Sequence, residues 1–186
     1  MNYDINWVID KFDRGERLKY VFFWGHHPSA TGETTKSCFS QWYECEFTVD
    51  GVKYHTAEQY MMAQKALLFG DSAVYDEIMA ASHPKQFKTL GRKITPFDEA
   101  TWNSHKKDIV VCGNLAKFSQ NTAMGEFLLG TGNRILVEAS PYDKIWGIGR
   151  AASDDNIENP HTWRGENNLG FALMEVRDML AETADV

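Results

Sequence analysis

Several features that would assign the chain to a common protein class are missing from its sequence. No window approaches the roughly 20 predominantly apolar residues that a membrane-spanning helix needs, and the first residues lack the basic and apolar regions of a signal peptide. The three cysteines, Cys38, Cys45 and Cys112, form no CxxC pair, which favours a reducing compartment over a disulfide framework. We therefore expect a soluble, cytoplasmic protein that does not engage a membrane.

An excess of basic residues is also missing. The chain has 19 Lys and Arg against 26 Asp and Glu, giving a formal charge of −7. Non-specific binding to a phosphate backbone needs a basic surface, so the charge argues against a general nucleic-acid binder. A small anionic ligand held by a few local donors is compatible with this charge.

Most short catalytic and cofactor motifs are absent as well. There is no HExxH, no GxxxxGK(S/T) and no GxSxG, and the six histidines show no paired spacing typical of zinc sites. Gly147-Ile148-Gly149 followed by Ala152 resembles a dinucleotide fingerprint, but the turn-like residues 153–156 come next where the fingerprint needs a helix. We expect no metal and no cofactor, whereas the sequence leaves a Ser/His/Asp triad open.

The composition indicates one globular domain. With 186 residues, 43% of them hydrophobic, the chain can bury one substantial core, and we predict a single domain over 1–186 with its core at about 20–182. Eleven Phe, seven Tyr and six Trp can fill that core, and they can also wall a pocket for a flat ligand.

Local patterns predict an α+β fold that is mostly helical, with a small antiparallel β-sheet. Strands are expected at Lys19–Trp24, which reads as buried, and at 133–140, and Asp50-Gly51 marks a hairpin after the aromatic run 38–49. His26–Lys36 reads as a polar loop. Helices are expected at 57–69 behind a Thr56 capping box, from Asp71 to Met79, from Pro84, at about 98–118, and at about 168–182 with Asn168 as N-cap.

Two charged residues on the first predicted helix of this series are candidates for chemistry. Glu58 lies in its first turn, where it either complements the helix dipole or takes part in a reaction. Lys65 lies seven residues later on the same face, in an apolar stretch. It is either a surface lysine with a buried stem or a partly buried amine, and burial would lower its pKa and make it nucleophilic.

A second group of candidates follows the predicted strand at 133–140. Glu138 and Asp143 are acids at the strand end, just before Trp146-Gly147, and a Trp-Gly corner could form an aromatic wall beside a carboxylate. Further along, Asn168 opens the last helix, whose N-terminal amides could equally bind an anion.

Separate blocks of sequence that contain these residues resemble the NADAR (YbiA-like) family. The blocks are TAEQYMMAQKALLFGD, KTLGR, KFSQN, LLGTG, LVEASPYDKIWGIG and WRGENNLGFALMEVRDML. The resemblance covers the chain from Phe22 to Leu180, and the blocks follow one another in the same order as in the family. It implies an α+β fold and hydrolysis of N-glycosidic bonds, since known members act on ribosylamino-pyrimidine intermediates of riboflavin synthesis or remove ADP-ribose from guanine bases in nucleic acid.

The resemblance also implies the residues of the site. We predict that the catalytic residues are Glu58, Lys65 and Asp143, and that the substrate-binding residues are Gln59, Arg92, Glu138, Trp146, Gly147 and Asn168. The partner would be a small nucleotide-like substrate, an ADP-ribosyl or ribosylamino-pyrimidine compound, or ADP-ribosylated nucleic acid. The alternative is a non-catalytic module that only binds ADP-ribose or NAD.

Two departures from the family pattern bear on the substrate. The YbiA-type member has an acid inside the Trp-Gly corner where this chain has Ile148, so the WGIG form is similar to the other branch. The loop His26–Lys36 is longer than the usual pattern and is expected beside the cleft.

Two routes for the reaction remain open. A carboxylate, Glu58 or Asp143, could stabilise positive charge at the anomeric carbon. Alternatively, Lys65 could attack that carbon and form a Schiff base, the route that we favour.

Overall fold

The computed structural model describes residues 3–184, which are mostly helical. In this part of the chain the helices are α1 (Ile5–Asp13), α2 (Ala57–Leu68), α3 (Ser72–Ala80), α4 (Pro84–Gly91), α5 (Glu99–Gln120), α6 (Thr122–Leu129) and α7 (Asn168–Ala184). The strands are β1 (Tyr20–Phe23), β2 (Phe47–Val49), β3 (Val52–Tyr54) and β4 (Ile135–Glu138), and two short 3₁₀ helices cover Lys36–Phe39 and Pro160–Thr162. The predicted α+β class is confirmed. No helix within the described range is long and apolar enough to cross a membrane.

The chain divides into two compact units. Unit 1 contains the described residues of Met1–Ser40 and Thr122–Val186, and unit 2 is Gln41–Asn121. Unit 1 is therefore discontinuous in the sequence, whereas unit 2 is one uninterrupted segment. That the whole chain acts as a single domain stays a prediction.

Unit 1 is organised around a two-stranded parallel sheet. β1 pairs with β4, and the register joins Phe23 to Glu138, so that both strands end at the same edge. We call Phe23, Glu138 and the residues that follow each of them the carboxyl edge. The helix α7 packs against β4 and α6 packs against α7, which covers a core that includes Phe23, Leu136, Val137, Phe171, Leu173 and Val176.

Unit 2 combines an antiparallel hairpin with four helices. β2 pairs with β3 through a turn at Asp50 and Gly51, whose φ angles are 50° and 78°. Two consecutive left-handed residues are what a two-residue type I′ turn requires, and Asp-Gly supplies them at low cost. The predicted hairpin is confirmed. The helix α2 packs against α3, α4 and α5.

Side chains at the helix starts explain why the helices of unit 2 could be predicted. Thr56 Oγ1 accepts a hydrogen bond from Gln59 N–H at 3.0 Å, as an N-cap should. Gln59 Oε1 accepts from His55 N–H at 2.9 Å, one residue earlier than in a capping box. The remaining helix starts in this unit are capped by Asp71, His83 and Asp98, and the expected boundaries agree to within about two residues.

Two aspects of unit 1 differ from the predictions. The strand at Lys19–Trp24 was expected to be buried, but only Phe23 within β1 is buried and Trp24 is 58% exposed. That burial prediction was wrong because β1 pairs with a single strand, β4, and its two faces are not both covered. The helices α1 and α6 were not predicted. They are nine and eight residues long, close to the shortest helices that an apolar period can reveal.

Candidate active site

Glu58 is a buried carboxylate at the start of α2. It is 5% exposed, and its backbone N–H donates to the carbonyl oxygen of Gln41 at 2.9 Å. Its predicted place in the first turn of a capped helix is confirmed. The helix N-terminus favours a negative charge there, whereas burial disfavours it. A carboxylate held inside the protein at that position is suited to meeting positive charge in a substrate.

Lys65 lies two turns further along α2 and is half-buried. Its ammonium nitrogen donates to the carbonyl oxygen of Gly91 at 2.9 Å and lies 4.4 Å and 5.3 Å from the ring centroids of Phe97 and Trp102. Burial lowers the pKa of Lys65 below the usual lysine value, although the two ring faces stabilise the charged form. The partly buried amine envisaged from the sequence is therefore what the fold contains.

Glu58 and Lys65 lie at different positions along α2. Seven residues of α-helix rise by about 10.5 Å, so the carboxylate and the amine share a face at different heights along α2. A substrate that reaches both must extend along the helix.

The other two predicted residues of unit 2 differ in exposure. Gln59 is 1% exposed, and its side-chain nitrogen donates to Ile78 O at 3.3 Å while its oxygen accepts from His55 N–H. Both ends of the Gln59 amide therefore bond to backbone groups of the protein. Arg92 follows α4 as its C-cap and is exposed, so its guanidinium is accessible to an anion.

A second polar cluster in unit 2 was not predicted. Asn114 and Lys117, both on α5, are each 0% exposed. The amide nitrogen of Asn114 donates to Gln41 Oε1 at 2.9 Å, and Gln41 also receives the Glu58 N–H bond. Lys117 Nζ lies 5.7 Å from the Tyr43 ring centroid. The signal available in the sequence was the three-residue spacing of Asn114 and Lys117 within the apolar second half of α5, which places both on one face.

In unit 1, Glu138 ends β4 at the carboxyl edge. Its side chain is half-buried. Its backbone N–H donates to Asn167 Oδ1 and its carbonyl oxygen accepts from Ile148 N–H, both at 2.9 Å. The strand end and the Trp-Gly corner are thereby joined. Asn167 is fully buried, and sequence analysis missed it because it lies in a polar loop.

Asp143 organises the turn after the strand. Its Oδ1 accepts hydrogen bonds from the backbone N–H groups of Ile145 and Trp146 at 2.9 Å and 2.8 Å. Its own N–H donates to Ser140 Oγ at 3.2 Å, and its carbonyl oxygen accepts from Gly149 N–H at 3.0 Å. This side chain therefore has a structural task, and its Oδ1 is occupied.

The Trp-Gly corner packs tightly against the strand end. A Cβ on Gly147 would lie 2.8 Å from Glu138 O and 3.1 Å from Asp143 O, so the protein's own backbone already requires glycine there. Trp146 is half-buried and its carbonyl oxygen accepts from Leu169 N–H at 3.1 Å. The carboxyl edge thus gathers four predicted residues: Glu138, Asp143, Trp146 and Gly147.

Asn168 is the first residue of α7, and its expected role as the N-cap is wrong. Its side-chain nitrogen donates to Glu166 Oε2 at 2.7 Å, and its backbone N–H reaches Ile145 O at 3.3 Å. The preceding Asn167 has a φ of 55° and bonds to β4 with its side chain, and the helix begins at Asn168, one residue earlier than predicted. The backbone N–H of Asn168 thus bonds to the residue that precedes Trp146.

No group of three His, Cys, Asp or Glu side chains able to hold a metal ion occurs among residues 3–184. The candidate groups of unit 2 are a buried carboxylate and an amine with a lowered pKa beside two aromatic rings, and those of unit 1 are two carboxylates and a tryptophan.

Comparison with known proteins identifies the family. The model of the NADAR domain matches residues 22–181. The chain belongs to the NADAR domain family. It is 46% identical to an N-glycosidase of Acanthamoeba polyphaga mimivirus over 168 residues, 88% of this chain and 97% of the relative. It is 32% identical to N-glycosidase YbiA of Escherichia coli over 143 residues, 77% and 81% of the two chains.

The solved structures agree with this NADAR assignment. The NMR structure of Escherichia coli YbiA matches with a TM-score of 0.72 at 28% identity, over 90% of this chain and 88% of that chain. The resemblance and the YbiA-like fold expected from the sequence are therefore confirmed. Both named relatives are N-glycosidases, which are hydrolases of N-glycosyl bonds. The helix α1 precedes the residues that the NADAR model matches.

Proposed function

We propose that this NADAR protein is an N-glycosidase that hydrolyses the bond between a base and a ribosyl group. The observation that carries the proposal is Lys65, an amine whose pKa burial lowers and which shares α2 with the buried carboxylate of Glu58. A lowered pKa increases the fraction of free amine at neutral pH, and only the free amine is a nucleophile. The names of the relatives support the same reaction class.

In the covalent route, Lys65 Nζ attacks the anomeric carbon as the bond from that carbon to the base nitrogen breaks. The base leaves with the bonding electrons and takes up a proton. The bond to the ring oxygen then breaks, that oxygen accepts the proton released by Nζ, and a Schiff base results. Water adds to the carbon–nitrogen double bond and expels the amine, so that the ribosyl product and free Lys65 are regenerated.

The carboxylates act before the covalent bond is complete. Loss of the base develops oxocarbenium character at the anomeric carbon, and a carboxylate nearby lowers the energy of that state. We assign this role to Glu58, because its burial strengthens electrostatic interactions. Asp143 remains a proposed catalytic residue, although its Oδ1 is used by the turn that places Trp146.

Two substrate classes fit the proposal, ADP-ribosylated guanine and ribosylamino-pyrimidine intermediates of riboflavin synthesis. Ile148 is 0% exposed, so the Trp-Gly corner offers an apolar core residue where the YbiA-type pattern has an acid. This favours removal of ADP-ribose from guanine, in a free nucleotide or in modified nucleic acid. In unit 2, Arg92, exposed after α4, is proposed to bind a phosphate, and Gln59 is a further proposed substrate-binding residue. In unit 1, Trp146 is proposed to stack on the substrate, and Glu138, Gly147 and Asn168 are proposed to bind it as well.

The test is incubation with ADP-ribosylated guanosine and, separately, with a ribosylamino-pyrimidine phosphate, followed by chromatography for the released base and ribosyl product. Release from the first substrate above the rate without protein is expected. Binding of ADP-ribose by calorimetry without release from either compound would instead support a non-catalytic ADP-ribose or NAD-binding module.

A further inference from the structure

Two aromatic side chains are unusually exposed at the carboxyl edge of unit 1. Trp24 is 58% exposed and Tyr142 is 86% exposed. Their ring centroids are 6.1 Å apart and their planes are inclined at 55°. Large aromatic rings contribute most to stability when buried, so a contact between two rings left in water is poorly explained by folding alone.

Trp24 is held in place by the strand before it and the turn after it. Phe23 is 1% exposed, and its carbonyl oxygen accepts from Ala139 N–H at 2.9 Å. Gly25 has a φ of 89°, a conformation that favours glycine, so the chain turns immediately after Trp24. Lys36 Nζ donates to Phe22 O at 2.7 Å, which ties the far end of the following loop back to β1.

Tyr142 is fixed from the other strand of the sheet. Its N–H and that of Asp143 both point to Ser140 Oγ, at 3.4 Å and 3.2 Å, in the turn that leads into the Trp-Gly corner. Because β1 and β4 are parallel and in register at their ends, Trp24 and Tyr142 leave the sheet at the same edge. In open α/β sheets, ligands commonly bind just outside the carboxyl ends of the parallel strands.

We propose that Trp24 and Tyr142 form a binding subsite for the heteroaromatic base of the substrate. This proposal rests on the proposed function, since the base is the leaving group of an N-glycosidase. The inclined rings give a V-shaped platform, on which a base stacks against one ring and meets the second with its edge. Stacking tolerates different bases because each has a π-face, so the subsite contributes affinity and orientation, whereas polar groups must select the base.

The experiment uses free adenine as the probe, because adenine presents a π-face as any leaving base does and has no glycosidic bond that the protein could break. Calorimetric titrations compare the full-length wild type with Trp24→Ala and Tyr142→Ala. Each variant is expected to bind adenine at least about tenfold more weakly, or about 1.4 kcal/mol. The affinity for ribose 5-phosphate, titrated in parallel, is expected to change by less than about twofold, because this compound has no aromatic ring to stack.

Two variants serve as controls. Tyr142→Phe keeps the ring and removes the hydroxyl, and it should retain adenine affinity. Met179→Ala removes another exposed apolar side chain of unit 1, 40% exposed on α7, and should also leave the affinity unchanged. Circular dichroism melting of each variant checks that the fold is kept.

The outcomes separate the subsite from the enzymatic proposal. No adenine binding by the wild type, or equal affinity in the wild type and both alanine variants, overturns the subsite even if the enzyme releases base from ADP-ribosylated guanosine. Adenine binding that depends on both rings, in a protein that releases base from no substrate, leaves the subsite standing and contradicts the N-glycosidase proposal.

Discussion

Asn167 completes the hydrogen bonding of β4 at Glu138. Its side-chain oxygen accepts from Glu138 N–H at 2.9 Å, and its side-chain nitrogen donates to Leu136 O at 2.9 Å. On the other side of β4, Ile135 and Ala139 donate to the β1 segment. One side-chain amide thus takes the place of a neighbouring strand, which keeps a two-stranded sheet free of unpaired buried backbone groups at this point.

Asn167→Ala is expected to lower the free energy of unfolding by about 2–6 kcal/mol, because two buried backbone groups lose their partners and each costs about 1–3 kcal/mol. Urea denaturation measures this difference. Asn168→Ala is the matched control, since its side chain bonds only to Glu166 at the surface, and it should change stability by less than about 1 kcal/mol. Equal effects of the two substitutions would show that the Asn167 amide is not needed by the sheet.

Lys65→Arg should abolish turnover of ADP-ribosylated guanosine while the free energy of unfolding changes by no more than about 1 kcal/mol. Arginine keeps the positive charge near the Phe97 ring but cannot form a Schiff base. Lys65→Ala should be equally inactive. Lys85→Arg, an exposed lysine on α4, is the control and should remain active.

Borohydride reduction during turnover provides a direct readout of the covalent route. Mass spectrometry should find a ribosyl adduct on the peptide that contains Lys65 in the wild type and none in Lys65→Arg. Near-normal activity in Lys65→Arg would end the covalent proposal and favour charge stabilisation by Glu58.

Trp146→Ala should weaken ADP-ribose binding by at least about tenfold, or 1.4 kcal/mol, because stacking on an aromatic ring is worth roughly 1–3 kcal/mol per base. Trp146→Phe should lose less, since a ring remains. Calorimetric titration of ADP-ribose into the folded proteins measures both. Equal affinities in the wild type and the two variants, with reduced stability, would instead make Trp146 a packing residue next to α7.

The stability of the wild type should fall more steeply between pH 10 and 12 than that of Tyr3→Phe. Burial, together with the hydrogen bond from its hydroxyl to Asp178 Oδ2 at 2.7 Å, raises the pKa of Tyr3 from 10.0 to about 12. The folded state therefore holds the phenolic proton more tightly than the unfolded chain. The resulting stabilisation is complete below pH 10 and is lost as the pH rises towards 12.

Urea titrations at several pH values measure this difference. Asp178→Asn removes the carboxylate that raises the pKa of Tyr3 and should give an intermediate slope. Parallel curves for the wild type and Tyr3→Phe would contradict the prediction.

Features that depend on residues close together in the sequence could be predicted, and features that depend on residues far apart could not. The start of α2 and the β2–β3 turn depend on Thr56 and Asp50-Gly51, whose chemistry acts within a few residues. The surroundings of Lys65 depend on Gly91, Phe97 and Trp102, which only the packing of three helices brings to it. Its partial burial was one of two open interpretations, and no local pattern could decide between them.

The same limit applies to the residues of the carboxyl edge. The acids Glu138 and Asp143 could be located from the sequence, because they follow a recognisable strand. The role of Asn167 could not, since its partners on β4 lie far away in the chain and its neighbours resemble an ordinary polar loop. The exposure of Trp24 was hidden by its place in an apolar run.

The discontinuity of unit 1 has a consequence for biosynthesis. During translation β1 leaves the ribosome early, but β4, with which it pairs, follows only after all of unit 2. Unit 2 is contiguous, so its hairpin and helices can begin to fold while β1 still lacks a partner, since domains generally fold as units during synthesis. Nascent chains arrested before β4 is made but with residue 121 joined to a linker long enough to bring all of unit 2 out of the ribosome should therefore resist proteolysis in unit 2 and remain sensitive around Phe23.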